Sequence, residues 1–150
     1  MNIIHLMALK KKKKMIPTGH RGWRNVAERS CYFKSDWEFR YANHLQFQKD
    51  HKLIIEWYYE PQTFWFENIK RGTRSYLPDF KVMRPDGSHY WIEVKGYMDS
   101  KSLTKIKRFK KYYPKEELQV VDRSWFLQNR GKLCGLTSKV CSSKSNELQP

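Results

Sequence analysis

The stretch SYLPDFKVMRPDGSHYWIEVKG, residues 75–96, reads as two strands joined by a tight turn. YLPDFKVM (76–83) and HYWIEVKGY (89–97) are rich in β-branched and aromatic residues, as strands require. The intervening RPDGS holds the Pro-Asp-Gly order that suits a short hairpin connection. Pro78 has no ladder donor, so the strand lies at an edge or near its end there. Successive strand side chains alternate faces, which sends Glu93 and Lys95 one way and Ile92 and Val94 into the core. The turn carries Asp79 back toward Glu93. Two carboxylates and an ammonium then converge on one side of a twisted sheet.

Working outward, SDWEFRYANHLQFQKD (35–50) has helical spacing. Trp37, Tyr41 and Leu45 recur at i, i+4 and i+8, Ala42 widens the stripe, and Ser35 suits the N-cap with Glu38 three residues on. LIIEWYYE (53–60), closed by Pro61, and TFWFE (63–67) read as strands. After the hairpin, SKSLTKIKRFKKYYPKEE is helical, with Leu103, Ile106, Phe109, Lys110 and Tyr113 in one stripe and Pro114 as its stop. LQVVD (118–122) is a short apolar strand and SWFLQNRGK a last short helix. The order is α-β-β-β-β-α-β-α, and its strand–helix–strand crossover predicts a parallel strand pair. The fold class is therefore α/β, a mixed β-sheet flanked by helices. Residues 1–30, with the Lys10–Lys14 run and PTGHRGW, lack periodicity and read as a flexible basic arm. Residues 31–133 form the folded domain, and the Ser/Lys-rich residues 134–150 read as a disordered tail.

The chain has 150 residues, the size of one domain, and carries 30 Lys and Arg against 15 acidic residues, a formal charge of +15. So large an excess repels itself in a compact state and calls for a polyanionic partner, nucleic acid first. Lys70, Arg71 and Arg74 precede the PDF strand, and Lys101, Lys105, Lys107, Arg108 and Lys111 lie on the second helix. These eight are the candidate DNA-binding residues, weighed against a merely solvated charged face. No base-reading motif is present, so DNA shape is the expected basis of selectivity. Cys31, Cys134 and Cys141 make no CxxC pair, and the five histidines show no zinc spacing. That disfavours a disulfide scaffold and suits a reducing compartment. The opening residues do not read as a signal peptide, and no stretch reaches the length of a membrane span. A cytoplasmic protein with no membrane partner is expected.

Asp79 and Glu93 have the chemistry of a hard-cation site. Mg²⁺ prefers oxygen ligands, commonly one or two carboxylates with water and phosphate, and the Val94 carbonyl is placed to join Asp79 and Glu93 as a ligand. Mn²⁺ is the expected substitute. A bound metal neutralises charge on a phosphoryl oxygen and activates water, while Lys95 orients that water or stabilises the phosphorane. Nothing in the stretch supplies a covalent nucleophile. The competing reading is a surface hairpin with a Lys–Glu pair that contributes little.

PDF at 78–80 followed by IEVKG at 92–96 resembles the signature of the PD-(D/E)-x-K nuclease superfamily, over about residues 30–125. The resemblance implies a restriction-endonuclease-like core (α-β-β-β-α-β) with Asp79, Glu93 and Lys95 as its metal-binding and catalytic triad. It further implies a catalytic glutamate from the first core helix, at Glu38, although Ser35-x-x-Glu38 is by pattern a capping box. The Ser-x-x-Glu helix, the PDF strand and the E-x-K-G strand are most similar to phage endonuclease I and related Holliday-junction resolvases. The implied activity is structure-selective, metal-dependent hydrolysis of phosphodiester bonds in branched DNA, in the host cytoplasm. Cutting a four-way junction symmetrically takes two active sites, hence a homodimer. The alternatives are a nuclease of the same superfamily acting on DNA ends, nicks or mismatches, and a non-catalytic nucleic-acid-binding protein.

Overall fold

The computed structural model describes residues 21–134. The expected tail, but for Cys134, and the arm up to residue 20 lie outside the described residues. From Gly22 onward the expected arm is instead a hairpin, with β1 (Gly22–Val26) paired antiparallel to β2 (Arg29–Phe33). Its inward positions on β1 are Gly22, Arg24 and Val26, while Trp23 points outward, so hydrophobic alternation is inverted there. The hairpin is anchored by Val26 and Phe33, both fully buried, and by an Arg24–Asp36 ion pair of 2.8 Å.

Helix α1 (Asp36–Asp50) starts at Ser35, whose hydroxyl accepts the Glu38 N–H as its N-cap. Such a cap stabilises a helix by about 1 kcal/mol. Tyr41, Ala42 and Leu45 form its buried stripe. The chain then enters β3 (Glu56–Tyr59), shorter than the predicted 53–60 strand, because Leu53 and Ile55 are exposed and only Ile54 is buried before it. Pro78 splits the next expected strand in two. Residues Ser75–Tyr76 (β5) pair with Phe64–Trp65 (β4) in a separate two-stranded ladder, and Phe80–Met83 (β6) joins the main sheet. Strand β7 (His89–Val94) follows the turn, helix α2 (Ser100–Tyr112) crosses over, and β8 (Leu118–Val121) returns. Helices α3 (Arg123–Gln128) and α4 (Arg130–Cys134) take the place of the single last helix expected.

The main sheet runs β3-β6-β7-β8, antiparallel except for β7 and β8, which are parallel as the crossover requires. The result is a mixed α/β fold with a layer on each side of the sheet. On one side Tyr41, Ala42 and Leu45 of α1 and the hairpin pack on Trp57, Phe80, Val82, Ile92, Val94 and Val121. On the other, Phe109 of α2 packs with Trp91 and with Phe64, Phe66 and Tyr76 of the small ladder. Phe64 meets Trp91 and Phe109 edge to face, each at 4.8 Å between centroids. Strand β7 is thus covered on both faces, which is why Glu93 within it is buried. On α2 the buried residues are Ser102, Ile106 and Phe109, while Leu103, expected in the stripe, is half exposed. Among the described residues no helix is long and apolar enough to cross a membrane.

Candidate active site

The β6–β7 register pairs Phe80 with Ile92 and Lys81 with Trp91. One step further along, Asp79 stands opposite Glu93, on the same sheet face by alternation. The geometry is fixed by a hydrogen bond from the Val94 N–H to Asp79 Oδ2, 2.7 Å. In a strand the N–H and C=O of one residue leave from the same edge, so the Val94 carbonyl is directed toward Asp79 too. Glu60 N–H, at the end of β3, donates to the Asp79 carbonyl at 2.8 Å and holds that backbone from the other side.

Both carboxylates are buried, Asp79 at 8% exposure and Glu93 at 4%. Glu93 Oε2 accepts the Tyr76 hydroxyl at 2.7 Å, and Oε1 lies 3.2 Å from the Lys95 ammonium. Asp79 Oδ1 accepts no hydrogen bond from a described residue and is left available to a ligand. Burial above all, then the charges of Glu93 and Glu38, push the Asp79 carboxyl well above its ordinary range, against the Val94 N–H and Lys95. Burial opposes the charge on Lys95, but Glu93 and Asp79 outweigh it and raise its pKa, so the ammonium keeps its proton. Burial and the Glu93 carboxylate raise the Tyr76 phenol, which remains a donor.

Glu38 is buried at the start of α1, and its charge is felt by Asp79. Its carboxylate is engaged on both oxygens. Oε1 accepts the Ser35 hydroxyl at 2.9 Å, and Oε2 accepts the Lys34 N–H at 3.0 Å and the Tyr59 hydroxyl at 2.7 Å. Ser35 therefore caps the helix as expected, while Glu38 takes the Lys34 N–H and the Ser35 hydroxyl in place of the Ser35 N–H of a capping box, and its charge reaches Asp79. Glu60, at the end of β3, is ion-paired with Lys34. Trp37 packs its ring over Gly96, 3.6 Å from where a Cβ would stand, so it flanks Lys95. Trp91 lies fully buried behind Glu93, with the Lys81 ammonium 5.3 Å above its ring.

Arg74, Lys101, Lys105 and Arg108 line one open cleft of about 700 Å³ with Thr73, Ser75 and Thr104. A hydrogen bond from the Arg108 guanidinium to the Thr73 carbonyl ties the loop to the helix. Two chain connections run from the cleft toward the carboxylates: Ser75 on its wall precedes Tyr76, and its Ser100 follows Asp99, whose carboxyl is held below its ordinary range by the Ser102 hydrogen bonds first and by the Lys95 and Lys105 charges after them. Lys70 and Arg71 are exposed on the β4–β5 loop and do not line the cleft; neither do Lys107 and Lys111 on α2. Four of the eight expected phosphate contacts are thus brought together.

Sequence reasoning missed Tyr76 and Tyr59. Pro78 separates Tyr76 from β6, so alternation cannot be carried from Asp79 back to it. Tyr59 reaches Glu38 across 21 residues of sequence, and no local pattern announces that contact.

Among the described residues no group of three or more His, Cys, Asp or Glu converges as a metal cluster. The oxygen donors on this face are the Asp79 and Glu93 carboxylates, with the Val94 carbonyl directed toward Asp79 by strand geometry, a set whose chemistry would suit a hard divalent cation completing its shell with water and phosphate. Compared with protein-family models and with curated proteins, the chain matches none.

Proposed function

We propose that this chain is a Mg²⁺-dependent endodeoxyribonuclease with the restriction-endonuclease-like core of the PD-(D/E)-x-K superfamily. The observation that carries the reading is the buried Asp79–Glu93 pair with Lys95 at 3.2 Å from Glu93, in a chain whose β5 and α2 also line a cleft with four cations. Two buried carboxylates on one sheet face repel each other, an arrangement that structural packing alone does not call for. An exposed ion pair would need neither the burial nor the Tyr76 bond.

Asp79 Oδ1, the Glu93 carboxylate and the Val94 carbonyl would hold Mg²⁺, with Mn²⁺ as substitute. When bound, the ion supplies charge neutralisation at a phosphoryl oxygen and a more acidic water. Tyr76 orients Glu93, and the Val94 N–H orients Asp79. Lys95 keeps its proton and sets a fixed positive charge beside the reacting phosphate. Glu38 adds negative charge from α1 and takes part in the same centre. Arg74, Lys101, Lys105 and Arg108 grip the strand backbone, which positions the phosphate without reading sequence. Lys70, Arg71, Lys107 and Lys111 extend the basic surface around this grip.

The substrate we favour is a four-way DNA junction, cut symmetrically by a homodimer in the cytoplasm. Wild-type protein and Asp79→Asn are incubated with a synthetic junction and with linear duplex, each with Mg²⁺. Preferential junction cleavage, abolished by Asp79→Asn, is expected. Equal cutting of both substrates removes the resolvase reading, and unimpaired cutting by Asp79→Asn removes the site assignment.

A further inference from the structure

The four cations of the cleft differ from most others in the fold in having no counter-charge. Among the described residues Arg24, Arg29, Lys34, Arg40, Lys49 and Arg84 each have a carboxylate within ion-pair distance. Arg74, Lys101, Lys105 and Arg108 have none. Lys105 and Arg108 are half-buried all the same, so they have given up part of their water without gaining an anion. The acid nearest to them in sequence, Asp99, is exposed and uses its Oδ1 as the cap of α2, accepting the Ser102 N–H at 2.6 Å.

Lys101, Lys105 and Arg108 follow one another at i, i+4 and i+7, so they share one face of α2 and rise along it over about 10 Å. The chain from Thr73 to Ser75 forms the other wall and adds Arg74. Arg108 reaches across to the Thr73 carbonyl, a bond that takes one of the five guanidinium donors and leaves the others. Thr73, Ser75 and Ser100 bring hydroxyls, while the Thr104 hydroxyl is turned back onto the Ser100 carbonyl at 2.9 Å. No aliphatic or aromatic side chain lines the cleft, whereas the centre of a protein interface is apolar. Donors for one small anion would converge on a point; cations in a row, faced by further donors, fit a linear polyanion. A phosphodiester chain carries its charge in the backbone at every repeat and can lie along such a row. An extended acidic peptide carries its charge on side chains that point to alternate faces, which the row meets on one side only.

We infer that the cleft is a phosphate track in its own right: it takes a run of linked phosphate groups, with no metal ion and no contact from sugar or base. Deoxyribose and ribose strands therefore occupy it alike, and inorganic tripolyphosphate enters it as well. The inference deepens the phosphate grip of the function proposed above and rests on that part of it alone. Binding of tripolyphosphate to the full chain is measured by titration calorimetry in EDTA, and its displacement of labelled oligothymidine and oligouridine by fluorescence anisotropy. Wild type should bind tripolyphosphate, and the two strands should bind within about threefold of each other. Lys101→Gln with Lys105→Gln should weaken all three ligands about tenfold or more. Lys110→Gln with Lys115→Gln, which removes the same charge from exposed positions outside the cleft, should change them less than about threefold. Far-UV circular dichroism verifies that each variant is folded. Equal losses in the two double variants would overturn the inference, because net charge alone would then explain binding. So would displacement of the strand by polyglutamate as effective as by tripolyphosphate at equal charge, or a strong preference for one sugar. Strand cleavage with Mg²⁺ by a wild-type protein that binds no tripolyphosphate would take down this inference alone. Tripolyphosphate binding by a wild-type protein that cleaves nothing would take down the nuclease reading and support this one.

Discussion

Tyr76 donates its hydroxyl to Glu93 Oε2 at 2.7 Å, a buried bond between the small β4–β5 ladder and the centre of the main sheet. The tyrosine ring is itself core, packed edge to face on Phe109 with 5.4 Å between centroids. One residue thus ties the α2 layer to the carboxylate and leaves Glu93 Oε1 to Lys95.

Tyr76→Phe keeps the ring and removes the donor. Leaving a buried carboxylate oxygen without its partner should cost about 1–3 kcal/mol, read as a lower urea midpoint in EDTA. Strand cleavage should fall while DNA affinity in EDTA stays, because Tyr76 touches Glu93 and not the cleft wall. An unchanged midpoint would show that the bond contributes nothing to the fold.

Asp79 governs the pH dependence of the metal-free protein. Its folded-state pKa is raised above the unfolded value, so the stability it contributes is fully present below that unfolded value, about 4. That contribution is lost as pH rises through the folded pKa. Asp79→Asn can still accept the Val94 N–H but carries no charge. In EDTA the variant should melt above wild type, and the gap should widen from acid toward neutral pH. Added Mg²⁺ should close the gap by stabilising wild type alone. A gap that narrows toward neutral pH would mean that the pair is not the repulsive element.

How much of this was legible beforehand depended on the range of each interaction. Local patterns placed α1, α2, the β6–β7 turn and the parallel β7–β8 pair, since alternation, caps and crossover handedness act over a few residues or one connection. The same alternation rule brought Asp79, Glu93 and Lys95 together. It failed at the β1–β2 hairpin, where Trp23 faces out and Arg24 faces in, held by Asp36 and stacked 4.6 Å over Phe39. It failed again at Pro78, which moved Tyr76 to another ladder. Burial of Glu93 was illegible as well, because cover on both faces of β7 comes from α2 and the small ladder, elements distant in sequence.

The cleft should dominate the salt dependence of binding. Each phosphate contact removed lowers the slope of log affinity against log salt by about one. Lys101→Ala with Lys105→Ala should therefore reduce it by about two and weaken all DNA alike. Lys70→Ala, outside the cleft, should change it less. Equal slopes for both variants would separate the cleft from the DNA path.

The hairpin turn offers a test of the backbone alone. Ala27 adopts φ +51°, a left-handed conformation that costs a non-glycine residue about 1–2 kcal/mol. Ala27→Gly or Ala27→Asn should stabilise the protein by about 0.5–1 kcal/mol and leave cleavage unchanged. A lower denaturation midpoint in both variants would show that the turn gains nothing from relief of φ.

Glu38 has two roles that one pair of substitutions can separate. Ser35→Ala removes the hydroxyl that accepts the Glu38 N–H at 3.2 Å and donates to its Oε1 at 2.9 Å. Losing an N-cap should cost about 1 kcal/mol and little in turnover, since Lys34 N–H and Tyr59 still hold Oε2. Glu38→Gln does the reverse. Its amide oxygen still accepts from Lys34 and Tyr59 and its amide nitrogen donates to Ser35, so the helix start is kept while the charge beside Asp79 is lost. Stability in EDTA should hold or rise, because the Glu38 charge is one of those that disfavour the ionised Asp79. Mg²⁺-dependent cleavage should fall at least tenfold, a loss of about 1.4 kcal/mol in barrier lowering. Cleavage within twofold of wild type, with the thermal midpoint lowered, would reduce Glu38 to a cap and leave the chemistry to Asp79, Glu93 and Lys95.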